Sequence, residues 1–420
     1  MIIYTVKSGD SLYSISQAFG IPVSKIEADN GITDVRNLIV GEDLIIKNGR
    51  SVTVNEGESL YSIAERENVS VNDLLKSNPS LNGVPLIYPG QTLYINDIPQ
   101  KSIIVNGYAY PFIDEDELRR ALPFLTYLTV FTYGFRDDGS IIAPDDTAIV
   151  ETAKSYGVSP VLLLSTLTDE GVFNNNLSSA LFKNEMLQNI LINNLIDEAV
   201  SKGYEGVEID FEFIPKEDAQ GYVEFLRRLK AALDVEGLPL FVALAPKTSD
   251  NQMGLLYEGH DYRQIGEIAD YVILMTYEWG YQYGPPLPVA PVNNVEEVLQ
   301  YAVSVIDNDK ILLGIPNYAY DWTLPFIKGQ SMAEGISNRE ALNRALQYGA
   351  EIMFDEKAKT PFFTYYKDGK EHIVWFENAR SIKAKLDLVN KYDLGGISIW
   401  QIMRFFPQLY SVLSDMFDNE

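Results

Sequence analysis

Gly206-Val207-Glu208-Ile209-Asp210-Phe211-Glu212 decides how the rest of the chain is read. Val207, Ile209, Phe211 and Phe213 alternate with three acids, which is the period of a β-strand. The alternation predicts one solvated face carrying Glu208, Asp210 and Glu212, with no cation between them to neutralise the charge. Carboxylates in a row repel, so at least one is expected to have a raised pKa and to hold a proton near neutral pH. A protonated carboxyl beside ionised neighbours is what glycosidic bond cleavage requires. A solvated acidic strand edge fits the same spacing. The remainder of the chain has to separate the two.

The 420 residues suffice for more than one domain and a large core. The formal net charge is -26, which argues against a nucleic-acid partner, since phosphate backbones call for clustered Lys and Arg. Residues 1–100 carry 7 basic and 12 acidic side chains and the remainder 26 and 47, so the acidity is concentrated after residue 100. Cysteine is absent, which removes disulfides, thiolate metal sites and a Cys nucleophile. His260 and His372 are the only histidines, too few for a His-based zinc site and read as ordinary loop or strand residues rather than triad members. No metal and no cofactor are expected. Met1-Ile2-Ile3-Tyr4-Thr5 runs directly into a strand-like segment without the basic and apolar regions of a classical signal peptide. No apolar run reaches membrane-spanning length, so no membrane partner is expected, and the protein is read as a monomer.

The first hundred residues contain an internal repeat. Tyr4-Thr5-Val6-Lys7-Ser8-Gly9-Asp10-Ser11-Leu12-Tyr13-Ser14-Ile15 aligns with Val52-Thr53-Val54-Asn55-Glu56-Gly57-Glu58-Ser59-Leu60-Tyr61-Ser62-Ile63, and Gly41–Ile46 aligns with Gly90–Ile95. Each copy reads as strand, Gly turn, helix, helix, Gly turn, strand. Asp10 or Ser11 can cap a helix whose Leu12, Ile15, Ser16 and Phe19 share a face, and Gly20 ends it. Both copies resemble LysM modules from end to end, placed at residues 1–48 and 49–97. The resemblance implies two βααβ domains that bind glycans containing N-acetylglucosamine, either peptidoglycan or chitin. The residues it implies are Gly9, Asp10, Ser11, Leu12 and Asn30 with Gly31 in the first copy, and Gly57, Glu58, Ser59, Leu60, Asn78 and Pro79 in the second. Two weak sites in tandem gain from effective concentration.

Asp97-Ile98-Pro99-Gln100-Lys101 reads as a short connector. Beyond it, apolar strands are expected at residues 103–109, 125–133, 161–167, 206–213, 240–245, 271–277, 311–316 and 395–400. Amphipathic helical stretches lie between them, as at residues 185–202 and 217–235. Eight strands alternating with helices predict a (β/α)8 barrel over residues 98–420. A gap too long for one crossover predicts a small α+β insertion at about residues 325–377. Chemistry in such a barrel gathers at the C-terminal strand ends. Those ends read Tyr108 and Tyr110, Tyr133, Thr168-Asp169-Glu170, Asp210 and Glu212, Ala245-Pro246, Met275-Thr276-Tyr277-Glu278, Asn317-Tyr318, and Trp400-Gln401. Flat aromatic faces with a few acids suit a sugar ring, and no phosphate-binding glycine loop is found.

Three of these strand ends resemble family-18 glycoside hydrolases, the chitinase-like group. Glu205-Gly206-Val207-Glu208-Ile209-Asp210-Phe211-Glu212 follows that family's strand-four pattern, with Glu205 and Glu208 in place of its usual aspartates. Met275-Thr276-Tyr277-Glu278 follows the strand-six pattern with Glu278 for Asp, and Gly395–Trp400 follows the closing strand. The resemblance implies retaining hydrolysis assisted by the substrate's own 2-acetamido group. Glu212 is then the acid and base, Asp210 orients the acetamido group, Tyr277 bonds its carbonyl, and Trp400 floors the sugar. Glu208 tunes Asp210 from below, while Asn317, Tyr318 and Glu278 are candidate sugar contacts. With the two LysM-like repeats, Gly314–Trp322 and Trp375–Ser381 resemble the spore cortex-lytic enzymes of endospore-forming bacteria. That implies an N-acetylglucosaminidase acting on cortex peptidoglycan during germination, located in the spore coat or cortex. A chitinase and a non-catalytic glycan-binding barrel remain the competing classes, the latter disfavoured by Glu212.

Overall fold

The computed structural model describes residues 1–32, 38–97, 99 and 101–419; Ile98 and Gln100 of the expected connector lie outside the described residues. In the first repeat, Ile2–Thr5 pairs antiparallel with Asp43–Ile46 around helices Leu12–Phe19 and Val23–Asn30. Ser11 settles the choice of cap: its side chain accepts from Ser14 N while Ser14 Oγ accepts from Ser11 N, a reciprocal box. Gly20, at φ 69°, takes the left-handed conformation that stops the helix. The second repeat repeats the plan with Arg50–Thr53, Leu60–Glu67, Val71–Ser77 and Thr92–Ile95, capped by Ser59. Each repeat encloses its own small cluster, led by Leu12, Ile15 and Leu44 in one and by Leu60, Ile63 and Leu93 in the other.

Such small cores need support, and the first repeat finds it on the barrel. Ile45 belongs to the barrel's own core cluster. Gln408 Nε2 donates to Asp43 O at 2.7 Å, Asn378 Nδ2 donates to Asp43 Oδ2 at 2.7 Å, and buried Lys47 donates to Ser411 O. Gly41 sits so close to the backbone of Ile352 that a Cβ there would lie 1.9 Å from its carbonyl oxygen. The second repeat is held by Lys76 against Asp418 at 2.6 Å and by Tyr156 Oη donating to Gly83 O at 2.9 Å. The repeats are docked modules.

The eight parallel strands are Ser102–Ala109, Tyr127–Phe135, Ser159–Leu167, Val207–Asp210, Leu240–Leu244, Tyr271–Leu274, Ile311–Pro316 and Gly396–Trp400. Each pairs with the next, and the eighth returns to the first with Gly396 opposite Ile104. The (β/α)8 barrel expected from the alternation is the fold. Its interior is filled by Ile104, Val161, Leu163, Phe241, Ile273 and Leu312, and a larger cluster fills the space between sheet and helices. Two strands are shorter than expected. The fourth stops at Asp210, because the chain then curls away to Phe213 at φ 54°. The sixth stops at Leu274, where Thr276 N donates back to Leu274 O at 2.8 Å and Tyr277 N to Met275 O at 2.9 Å, two tight turns that end the ladder.

The insertion is a five-stranded antiparallel sheet with helix Asn338–Tyr348 packed on it. Its strand Ala319–Thr323 begins ahead of residue 325 and lies beside both Glu334–Ile336 and Lys370–Trp375. Tyr320, Ile336, Ser337 and Glu340 thereby form one wall above the barrel mouth. Among the described residues no helix is long and apolar enough to cross a membrane, and no group of His, Asp and Glu is arranged to hold a metal.

Candidate active site

The polar face of the fourth strand turns into the barrel and meets solvent only through the cleft at its upper end. In a closed barrel the inward face alternates with a face under the helices, so Val207, Ile209 and Phe211 are buried outside while the acids point inside. Glu208 is wholly buried at the bottom, and Asp210 and Glu212 rise above it to the floor of a cleft of about 910 Å³. Tyr108 Oη donates to Glu208 Oε1, and Thr129 Oγ1 lies 3.0 Å from Glu208 Oε2. Asp210 Oδ1 is buried without a partner among the described residues.

Burial is the main cause that raises the pKa values of these acids. It lifts the Glu208 carboxyl to about 7 against hydrogen bonds that pull it down. Asp210 is raised well above its usual range by burial first, then by the charges of Glu212 and Glu208. Glu212 is raised by burial and then by Glu278. The direction anticipated from repulsion is right, but its leading cause is the low-dielectric interior that an isolated strand could not reveal. The column can keep a proton in reserve beneath a polar cleft.

The end of the fourth strand is pinned from outside the cleft. His260 Nε2 donates to Phe211 O at 3.0 Å and its Nδ1 accepts from Ala245 N at 3.1 Å, which requires the neutral ring. Burial accordingly depresses His260 to about 4. Above the acids, Tyr277 lines the cleft with its hydroxyl pKa pushed well up by burial and by the carboxylates around it. Tyr318 and Tyr320 both donate to Glu278, the latter at 3.1 Å, so that Glu278 is held as the acceptor of a tyrosine pair. Trp400 forms a cleft surface, its ring edge-to-face with Tyr108 at 5.3 Å and Phe131 at 4.9 Å.

The cleft therefore brings together Asp210, Glu212, Tyr277, Glu278, Tyr318 and Trp400, with Glu208 beneath. Asn317 also borders it, but its Nδ2 is spent on Gln401 O at 3.0 Å and Arg404 O at 2.9 Å, so it holds the loop after Trp400 instead of presenting a free amide. Tyr133 and the Thr168–Glu170 turn are not in the cleft. The register shifts after Val130, so Phe131 faces the cleft while Tyr133 turns outward to donate to Asp146. Asp169 is paired with Arg136 at 2.6 Å. Phe131, Phe173, Asn175, Tyr320, Glu340 and Arg404 were not anticipated. The aromatic pair Tyr318/Tyr320 at i, i+2 was the available signal for Tyr320; the others come from a bulge, loops and the insertion, where no periodicity applies.

The expected glycan residues of the repeats need correction in part. Asn30 and Asn78 are buried, and each ties a helix end to a strand: Asn30 Oδ1 accepts from Ile45 N and Asn78 Oδ1 from Tyr94 N, both at 2.7 Å. Leu12 and Leu60 are core residues. Asp10 accepts from Lys7 N and Glu58 from Asn55 N, both closing the Gly turn, at 2.8 and 2.7 Å. Gly9, Ser11, Gly57 and Ser59 are exposed, and Asp10, Gly31, Glu58 and Pro79 half-buried, so these keep surface for a ligand. Tyr13 and Tyr61, at equivalent positions, are exposed aromatic rings beside those turns and were overlooked.

The profile described as "Glycosyl hydrolases family 18" matches residues 111–404, and the LysM domain profile matches residues 4–47 and 52–96. The chain is 37% identical over 425 residues to the cortical fragment-lytic enzyme of Bacillus subtilis (strain 168), covering 100% of this chain and 98% of that protein. The solved structure of the Bacillus cereus spore cortex-lytic enzyme SleL superposes with a TM-score of 0.85 at 37% identity, over 100% of this chain and 98% of that one. A chitinase structure from Chromobacterium violaceum matches with a TM-score of 0.68 at 26% identity, over 74% of this chain and 98% of that chain.

Proposed function

The chain belongs to glycosyl hydrolase family 18 and carries two LysM domains, and from that premise we propose that it hydrolyses spore cortex peptidoglycan as an N-acetylglucosaminidase. The observation that carries the reading is the inward acid column of Glu208, Asp210 and Glu212 beneath a cleft walled by aromatic rings. The LysM domains, docked on the barrel, hold glycan through the turns around Gly9–Ser11 and Gly57–Ser59. The protein acts in the spore, where its relatives are named for cortex lysis.

Glu212, protonated because burial raises it, gives its proton to the glycosidic oxygen as the bond to C1 breaks. The carbonyl oxygen of the substrate's 2-acetamido group closes on C1 from the opposite face, and the ring nitrogen acquires positive character. Asp210 faces that nitrogen: its unpartnered buried Oδ1 accepts the amide N–H, which supplies the one bond it lacks. Tyr277 donates to the acetamido oxygen, and Trp400 packs under the apolar face of the sugar. Glu212, now ionised, takes a proton from water as that water attacks C1. The anomeric configuration is retained and the new reducing end is N-acetylglucosamine.

Mass spectrometry of products from defined peptidoglycan fragments and from chitin oligomers tests this. Products ending in N-acetylglucosamine from peptidoglycan are expected, while turnover of chitin oligomers alone would replace the reading by a chitinase. Glu212→Gln should cut turnover about 10²–10⁴-fold with binding kept. Undiminished release of reducing ends by that variant would remove Glu212 from the mechanism.

A further inference from the structure

In a chain of net charge -26, three arginines from three separate elements line a series of adjoining hollows. Arg404, in the loop after the eighth strand, lines the catalytic cleft. It also lines, with Arg339 and Arg120, a smaller hollow of about 80 Å³ that shares Asn317 and Ser337 with the cleft. Arg120 and Arg339 then border an open hollow of about 400 Å³ at the meeting of both LysM domains and the barrel. Glu27 and Gly31 of the first domain and Pro79 and Asn82 of the second face it there. The three hollows share lining residues in turn, from the LysM junction to the catalytic cleft.

Two of the carboxylates along them accept from backbone amides and a third, Glu27, stands at the LysM end, while two of the three guanidinium groups have no close carboxylate among the described residues. Glu340 Oε2 accepts from Ser337 N at 2.7 Å, and Glu117 Oε2 accepts from Phe405 N at 2.6 Å. Among the described residues no carboxylate comes within 4.0 Å of Arg339 or Arg404, and Arg120 reaches Glu117 only at 3.9 Å. Arg120 Nε is buried without a partner, its guanidinium resting on the Phe405 ring at 4.2 Å from the centroid. Two cations without a close carboxylate and a third stacked on an aromatic ring, converging from separate elements, do not make a solvated helix face. They suit an extended ligand with spaced negative charges.

We propose that this arginine track is the path along which a carboxylate-bearing glycan strand is led from the LysM junction into the catalytic cleft. This rests on the peptidoglycan reading above. Its muramyl sugars that keep a free lactyl carboxylate or an acidic peptide place spaced negative charges along the strand. The guanidinium groups take those carboxylates, and the intervening neutral N-acetylglucosamine is presented to Glu212. The track offsets the repulsion that an acidic barrel exerts on an anionic polymer.

Affinity for long glycan strands is measured in the Glu212→Gln background, with and without Arg339→Gln, on native strands and on strands whose carboxylates have been chemically amidated. Turnover of a short soluble muropeptide by wild type and by Arg339→Gln is measured separately. Arg339→Gln is expected to weaken binding of native strands about three- to tenfold at low salt. The effect should vanish on amidated strands and at high salt, with Arg339→Lys restoring most of it. Turnover of the short fragment should be unchanged within about twofold. Equal weakening on native and amidated strands, or none on native strands, would overturn the track. Turnover of the short fragment by wild type reports on the proposed activity alone, so the two readings fail separately.

Discussion

Replacing Glu208 by Gln probes the acid column at its most deeply buried carboxyl. Thr129 has one hydroxyl hydrogen, yet its Oγ1 lies 3.0 Å from both Asn106 Oδ1 and Glu208 Oε2. An ionised Glu208 makes two acceptors compete for that hydrogen. A protonated Glu208 donates to Thr129 Oγ1, Thr129 donates to Asn106 Oδ1, and Asn106 Nδ2 donates to Ser398 Oγ at 3.0 Å. Every partner is then satisfied, and burial agrees by lifting the carboxyl from 4.5 to about 7. The gap corresponds to ~3 kcal/mol. Its sign follows from the raised folded value: stability is complete below 4.5, where both states are protonated, and is lost as pH climbs to about 7. Gln copies the neutral form, its amide N–H replacing the carboxyl O–H toward Thr129, and it never titrates. Urea unfolding of wild type and Glu208→Gln should therefore agree closely at pH 4. At pH 8 the variant should be more stable by up to about 3 kcal/mol. A gap of equal size at both pH values, or a variant less stable at pH 8, would refute the assignment of a neutral buried Glu208.

Other expectations follow from neighbouring features. His260, held near 4 against an ordinary 6.5, contributes stability that is present above 6.5 and lost as pH falls toward 4. Melting temperature against pH should show this acid limb in wild type and a flatter one in His260→Asn. Gln408→Ala removes donors to Asp43 O and Asn30 Oδ1, and should cost about 1–3 kcal/mol while making the first LysM domain more sensitive to proteolysis. Deleting residues 1–48 strips the Ile45 contact from the barrel core, so it should lower the barrel's own melting temperature; an unchanged barrel would mean a detachable module.

How much of this was legible depended on periodicity. The eight strands and both repeats announced themselves through spacing, since the period that marks a strand is independent of its neighbours. The direction in which a strand's polar face points is not. Val207–Asp210 has the alternation of a half-solvated strand, and only closure of the sheet turns Glu208 inward. Closure is a property of eight strands together, so burial, the leading cause of every raised carboxyl here, could not be read from one. Asn30 and Asn78 stood beside turn residues and looked available to ligand. Their amides instead match the spacing between a helix end and a strand edge, a tertiary distance that composition does not encode.

The same distinction explains why the arginines escaped notice. Arg120 lies more than two hundred residues before Arg339 and Arg404 in an acidic chain, and Arg119 is the one cation adjacent in sequence to any of them. Convergence of the helix after the first strand, the insertion helix and the loop after the eighth strand places them along one hollow. Net charge alone predicts repulsion of an anionic polymer, because it averages over surfaces that the ligand never meets. A local field near the cleft is set by the charges that line it, and along the approach Arg120, Arg339 and Arg404 stand against Glu27, Glu117 and Glu340 alone, not against the whole acidic surface. An acidic enzyme can thus accept an acidic substrate, provided that cations along the approach offset the carboxylates there.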